Sequence, residues 1–277
     1  MKQFKSFYKE VGGNEGSKCN YPIRLDTYGC GCSHDCKYCY AKSLLSFRGL
    51  WNPHNPSVAN IEKLKRKINK LPKGTIVRLG GMTDCFQPIE LCNRITYKII
   101  KYLNKRRIGY LIVTKSDIVA NDEYLKIYDK DLAHFQITVT TTDDDKSIQY
   151  EKASVPSQRI KAIEKLYNNG FDVQVRLSPF IYEYIDFEIL NNIKCNKILV
   201  EFLRVNHWIK QWFDIDYSNY TVKHAGYEHL PLSIKKEYLQ KITGFDQVSI
   251  CEDVDEHFEY WKSNINHNKE DCCNLGG

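Results

Sequence analysis

Residues 23–42 read IRLDTYGCGCSHDCKYCYAK, a short β-rich run followed by a loop that carries Cys32, Cys36 and Cys39 in the spacing C-x3-C-x2-C. With 11 cysteines in 277 residues, that spacing arises by chance in roughly two chains per hundred of this composition, so a shared task explains it better. Three thiolates on one short loop can ligate three irons of a cubic four-iron, four-sulfur cluster and leave the fourth iron open. The competing reading is a zinc ion, with His34 or Cys30 completing its shell. Structural zinc normally joins two knuckles about a dozen residues apart, whereas these three ligands crowd onto a single loop.

Outward from this loop, further β-rich runs recur at 75–79, 110–113, 135–139, 173–177, 198–202 and 248–250. Stretches of helical period separate them. Residues 60–71 bring Ile61, Leu64, Ile68 and Leu71 to one face, and 90–103 do the same with Leu91, Ile95, Ile99 and Leu103. Pro72 and Gly74 stop the first, and a third helix runs from Pro156 to a carboxyl-terminal cap at Gly170. This alternation predicts an α/β fold with a parallel sheet, and six or seven units point to a β/α (TIM-like) barrel, partial or complete. The expected organisation is a barrel over 1–250 and a cysteine-containing C-terminal tail over 251–277, a candidate second metal-cluster site. Chemistry in such barrels sits at the carboxyl ends of the strands. The loops there carry GGMTDCFQP at 80–88, TKS at 114–116, TTTDDD at 140–145, SPF at 178–180, and Cys251.

Composition narrows the class. At 42% hydrophobic and 27% charged, the chain can bury a full core, which argues against disorder, collagen and a disulfide scaffold. No apolar stretch approaches the ~20 residues of a membrane span, and the MKQFKSFYKE start has no secretory h-region. A cytoplasmic protein with reduced thiols is expected, and closely spaced thiols there more often hold metal than each other. The net charge of +6 comes from 30 Lys against 10 Arg, a compositional skew that permits a nucleic-acid partner without demanding one.

The string GCSHDCKYCYA at 31–41, followed by GGMTDCFQPIE and VTKS, resembles the signature of the radical S-adenosylmethionine (radical SAM) superfamily, in the branch related to spore photoproduct lyase. The resemblance extends over about residues 20 to 205 and implies a [4Fe-4S] cluster on Cys32, Cys36 and Cys39. The open iron would bind S-adenosylmethionine, whose one-electron cleavage yields a 5′-deoxyadenosyl radical that takes hydrogen from substrate. It implies that the Tyr38 backbone lies near the adenine, that Gly80 and Gly81 approach the methionyl amino group, and that Lys115 pairs with the methionyl carboxylate. Thr138 falls where the branch has a cofactor-contacting serine, and Thr83 joins the cofactor-binding set; both also read as ordinary β-formers or turn residues. Arg176 could reach the cofactor, as could Arg159, which reads equally well as a surface residue. The acidic run at 143–145 reads as a solvated helix start. An electron donor such as flavodoxin or ferredoxin is implied as partner.

The remaining cysteines divide. The branch's hydrogen-donor thiol aligns with Gly81, leaving Cys85 as a candidate radical-quenching rim thiol or a small apolar filler. Cys251, Cys272 and Cys273 are candidate ligands of a second iron–sulfur cluster if the tail folds back over the barrel mouth, with Cys30 or Cys85 as a fourth or with an open iron for substrate. Zinc with His257 or His267, or free thiols, are the alternatives. Cys92 and Cys195 read as buried structural residues, and Cys19 has no assigned task. Trp208, Trp212 and Tyr217 form a candidate aromatic wall after the sixth strand or serve equally as surface-covering apolar residues. The substrate classes are nucleic acid or nucleobase-derived material first, and a peptide or protein second. A zinc-stabilised nucleic-acid-binding module is the non-enzymatic alternative.

Overall fold

In the computed structural model, which describes residues 4–10 and 18–275, every β-rich run noted above becomes a strand of one eight-stranded sheet. The strands are β1 (Phe7–Tyr8), β2 (Arg24–Leu25), β3 (Ile76–Leu79), β4 (Gly109–Thr114), β5 (Ala133–Val139), β6 (Asp172–Phe180), β7 (Lys197–Phe202) and β8 (Gln247–Ile250). They are ordered in space as in sequence. All pairings are parallel except that of β1, which runs antiparallel to β2 with Phe7 opposite Leu25. Among the described residues β1 and β8 do not pair, so the barrel is partial and keeps an open seam. Gly276 and Gly277, expected to be disordered, lie outside the described residues.

Strand alternation sorts side chains onto two faces. Val77, Ile112, Phe135, Ile137, Val175 and Val200 belong to the buried apolar core with helix residues such as Leu64, Ile99 and Ile163. The opposite, concave face is polar: register sets Arg24 beside Arg78, Gln136 beside Gln174, and Thr138 beside Arg176. A polar interior in a parallel sheet marks a binding cavity, since such strands are otherwise apolar on both faces.

The outer helices include α1 (Tyr40–Phe47), α2 (Ile61–Ile68), α3 (Ile95–Arg106), α4 (Pro156–Asn168), α5 (His207–Trp212), α6 (Leu232–Leu239) and α7 (Asp255–Asn264). The single helix expected over 90–103 is broken. Arg94 adopts a left-handed φ of 53° between a short turn, Glu90–Asn93, and α3. The cause is Glu90, fully buried, whose carboxylate accepts from the first free N–H groups of α3, on Thr96 and Tyr97 (both 2.9 Å), and from Tyr124 (2.6 Å). The break turns Leu91 outward, 51% exposed, and Cys92 is likewise exposed rather than buried. Cys195 is buried as expected.

After β8 the chain forms α7, which buries Trp261. It then returns beneath the sheet edge, where Asn266 Oδ1 accepts from Ile250 N at 2.7 Å. The tail does not fold over the barrel mouth. Its end lies against amino-terminal residues of the last strands: Gln174 donates to the Cys273 carbonyl, Lys197 to that of Asn274 (3.1 Å), and Asn274 to Gln247 (3.1 Å). The segment following residue 17 meets it across the seam through Tyr21 and Asp271, 2.6 Å apart. No helix of the described residues is long and apolar enough to cross a membrane.

Candidate active site at the barrel mouth

The cysteine loop leaves β2 through two strained positions. Cys30 has φ 53° and Gly31 φ 140°; a Cβ on Gly31 would stand 2.0 Å from the Asn52 carbonyl oxygen, so only glycine fits. The loop is clamped from below, with Lys37 N donating to Tyr150 O (2.9 Å) and Lys152 N to His34 O (2.7 Å). Buried Gln87 accepts from both Ser33 N (2.9 Å) and Ser33 Oγ (3.1 Å). These bonds hold Cys32, Cys36 and Cys39 on the wall of one cavity, together with Tyr38, Gly80, Gly81, Thr83, Asp84, Lys115, Thr138, Arg176, Glu201 and Arg204. The cavity encloses about 1080 Å³ of empty space, its open mouth included.

The three thiols are spaced more widely than a mononuclear site. A tetrahedral zinc with Zn–S of about 2.3 Å sets its sulfurs about 3.8 Å apart. Among the described residues, the group that brings three ligand atoms within 4.8 Å of one another is His229, Glu252 and Asp253, not the cysteine loop. Such spreading fits three corners of an iron–sulfur cube. Burial pushes the Cys32 thiol up to about 12, with Asp84 adding to it, and raises Cys36 and Cys39 as well. Each would have to give up its proton to serve as a metal ligand.

Two buried acids organise the walls. Asp84 accepts from Thr114 Oγ1 (2.7 Å), Lys115 N (2.8 Å) and Phe86 N (2.8 Å). His34 Nδ1 stands 3.3 Å from it, without hydrogen-bond alignment. Burial alone would raise the Asp84 carboxyl, but His34 and these donors outweigh it and hold it at about 2. Asp84 thereby ties the cysteine loop to the start of the Lys115 loop. Behind Cys36, Glu151 accepts from Tyr38 OH, Thr140 Oγ1 (3.0 Å) and the guanidinium of Arg159. Arg159 is fully buried and donates to Thr138 O at 3.1 Å, so its expected alternative as a surface residue is corrected. Lys115 places its ammonium 5.5 Å from the Tyr38 ring centroid, facing the cysteine loop.

Gly80 has φ 83°, and a Cβ there would meet Val113 O at 2.6 Å. Its neighbour Gly81 donates to Asp26 Oδ1 at 2.8 Å and accepts from Tyr40 OH at 2.7 Å. Thr83 spends its hydroxyl on Tyr28 O at 2.6 Å. Thr138 is buried on the cavity wall beside Arg176. Cys85 takes the second of its two readings, the small apolar filler. It is 1% exposed and packed within the apolar core, with burial raising its thiol well above the usual range, so it supplies no rim thiol. In α5, Ile209 lines the cavity while Trp208 is 44% exposed and stacks on Trp212, so no tryptophan wall forms there. Asp26, Gln87, Glu151 and Glu201 escaped the sequence reading; Asp26 and Gln87 had the signal of a polar residue in a loop after a strand.

A family model described as the Radical SAM superfamily matches residues 27–190. The uncharacterized protein MJ0683 of Methanocaldococcus jannaschii is 30% identical over 224 residues, 75% of this chain and 84% of that one. Among solved structures, spore photoproduct lyase complexed with dinucleoside spore photoproduct superimposes with a TM-score of 0.62 at 16% identity, covering 88% of this chain and 79% of that chain. Streptococcus suis SuiB bound to precursor peptide SuiA gives 0.53 at 14% identity, covering 79% of this chain and 46% of that chain. The cysteine loop, the glycine cradle and the family match agree: the chain belongs to the radical SAM superfamily, whose members carry a [4Fe-4S] cluster and use S-adenosylmethionine.

Proposed function

We propose that this chain cleaves S-adenosylmethionine reductively at a cluster on Cys32, Cys36 and Cys39 and takes a hydrogen atom from an organic substrate seated at the cavity mouth. The carrying observation is the convergence of those thiols with Gly80, Lys115 and Thr138 on one wall. When bound, the cluster and S-adenosylmethionine supply one-electron cleavage of the S–C5′ bond. The chain supplies position and exclusion of water. In this reading the Lys115 ammonium pairs with the methionyl carboxylate, Gly80 and Gly81 admit the methionyl amino group, and the Tyr38 backbone borders the adenine. Thr138 offers its hydroxyl to the cofactor, and Thr83 acts as wall and loop anchor. An external electron donor of the flavodoxin or ferredoxin class reduces the cluster, in a reducing compartment such as the cytoplasm.

Nucleobase-derived material is the first substrate class to test. Tyr227 lines the mouth with the Arg204 guanidinium carbon 5.9 Å from its ring centroid, a pairing of aromatic face and cation that suits a base. A peptide or protein substrate is the second reading, favoured by the tail (251–277) appended to the barrel (1–250), whose Cys251, Cys272 and Cys273 are candidate ligands of a second cluster. The test is deuterium transfer into 5′-deoxyadenosine from labelled nucleosides, oligonucleotides and peptides. Transfer from a nucleic-acid component supports the first reading; transfer from peptides alone replaces it with the second.

A further inference from the structure

Four cysteines from both ends of the chain meet where the barrel stays open. Cys251 follows β8 directly and anchors its N–H on Val200 O at 2.9 Å. The Cys272 thiol lies near enough to those of Cys251 and Cys273 to interact with both. Cys19, ahead of β2, is brought to the same place by its segment, whose Tyr21 hydroxyl donates to Asp271 Oδ2 at 2.6 Å, and Arg78 lies near both Cys19 and Cys273. The backbone around them is built to a fixed shape: Cys273 N donates to Asp271 Oδ1 (2.8 Å), Leu275 N to Asp271 Oδ2 (3.1 Å), and Asn20 to Glu270 O (2.5 Å).

The surroundings match an anionic polynuclear centre. Arg176 faces both Cys251 and Cys273, and buried polar atoms on the same concave face, Ser249 Oγ and Arg78 Nε, have no hydrogen-bond partner among the described residues. Such donors commonly point at cluster sulfurs. No three of these thiols fall within 4.8 Å of one another among the described residues, wider than the shell of one zinc ion. Cys85 is enclosed in the core and Cys30 belongs to the first loop, held to Asn52 N at 2.8 Å; neither completes the set.

We propose that Cys19, Cys251, Cys272 and Cys273 ligate a second iron–sulfur cluster that closes the barrel seam. This deepens the second-cluster reading above, for Cys19 supplies the fourth protein ligand and leaves no iron open for substrate. Arg176, paired with Glu201 on the cavity wall, is the side chain between this centre and the first.

The test uses the full chain, reconstituted anaerobically with iron and sulfide, and three variants. In Cys32→Ala/Cys36→Ala/Cys39→Ala, about four iron and four sulfide per chain remain, with a reduced electron paramagnetic resonance signal that S-adenosylmethionine does not alter. In Cys19→Ala/Cys251→Ala/Cys272→Ala/Cys273→Ala that second signal is lost while the S-adenosylmethionine-responsive one persists. Far-UV circular dichroism and a melt establish that each variant is folded. Adding Cys19→Ala alone to the first variant lowers retained iron at least threefold or converts the signal to that of a three-iron cluster. Absence of iron and sulfide from the folded first variant, or one zinc without sulfide, overturns the proposal; unchanged iron and signal on adding Cys19→Ala overturns the four-ligand set. Because the first variant lacks the radical-forming cysteines, its result is separate from whether the first site cleaves S-adenosylmethionine.

Discussion

Replacing Arg159 by Met removes the cation from a carboxylate that has no access to water. The two side chains are 0% and 1% exposed. Breaking a buried pair by removing one partner costs about 3–5 kcal/mol. The carbonyls of Thr138 and Ser154 lose a donor as well. Against this, Glu151 keeps the hydroxyls of Tyr38 and Thr140 and the nearby Lys115 charge, which favours the lower end, about 3 kcal/mol. For a chain of this size that is a fall in Tm of roughly 6–12 °C. Urea and thermal unfolding at neutral pH, on protein without its cluster, read the effect. Glu151→Gln/Arg159→Met should cost at least about 1 kcal/mol less than the two single changes summed, because no unpaired charge is left. A single variant within about 1 kcal/mol of the parent, or strict additivity in the double, would refute the buried pair as the anchor behind Cys36.

Other expectations concern the cavity. Lys115→Met should weaken S-adenosylmethionine binding about tenfold, from loss of a charge-assisted contact, while iron content holds; equilibrium binding to reconstituted protein decides it, and unchanged affinity removes Lys115 from the cofactor site. Cys85→Ala should cost about 1–2 kcal/mol of stability and leave 5′-deoxyadenosine formation within about twofold, whereas a large loss of turnover in folded protein would restore a chemical role. Glu201 is held at about 2, because Arg176 and Arg204, helped by Ser178 and Arg78, outweigh the burial that would raise it from 4.5. Its carboxylate therefore adds about 3 kcal/mol above its ordinary range, lost as pH falls toward 2. Glu201→Gln should flatten that stretch of the stability profile, and an unaltered acid limb in denaturant titrations would contradict the assignment.

The parallel sheet was legible because each strand is a dense β-rich run between helical stretches, and the cysteine loop because its three thiols are close in sequence. Contacts between distant segments left weaker traces. Nothing in ELCNRI announces that Arg94 turns left-handed, since the cause is Glu90 held by Tyr28 and Tyr124. Arg159 shows no outward sign of burial, for its partner Glu151 lies on a preceding loop and no helical spacing relates them. Cys85 stayed open between two readings because side-chain direction is not legible in sequence: the position follows a strand at the rim, but its side chain turns into the core. Cys19 carried no local signal, and its neighbours in space come from the opposite end of the chain.

The central claim is that this chain cleaves S-adenosylmethionine at the first cysteine loop. Anaerobically reconstituted protein, reduced with dithionite and given S-adenosylmethionine, should form 5′-deoxyadenosine, measured by liquid chromatography and mass spectrometry, and Cys36→Ala should form at least about 100-fold less. Protein that carries its iron and sulfide, is reduced, and yet forms no 5′-deoxyadenosine would contradict the account.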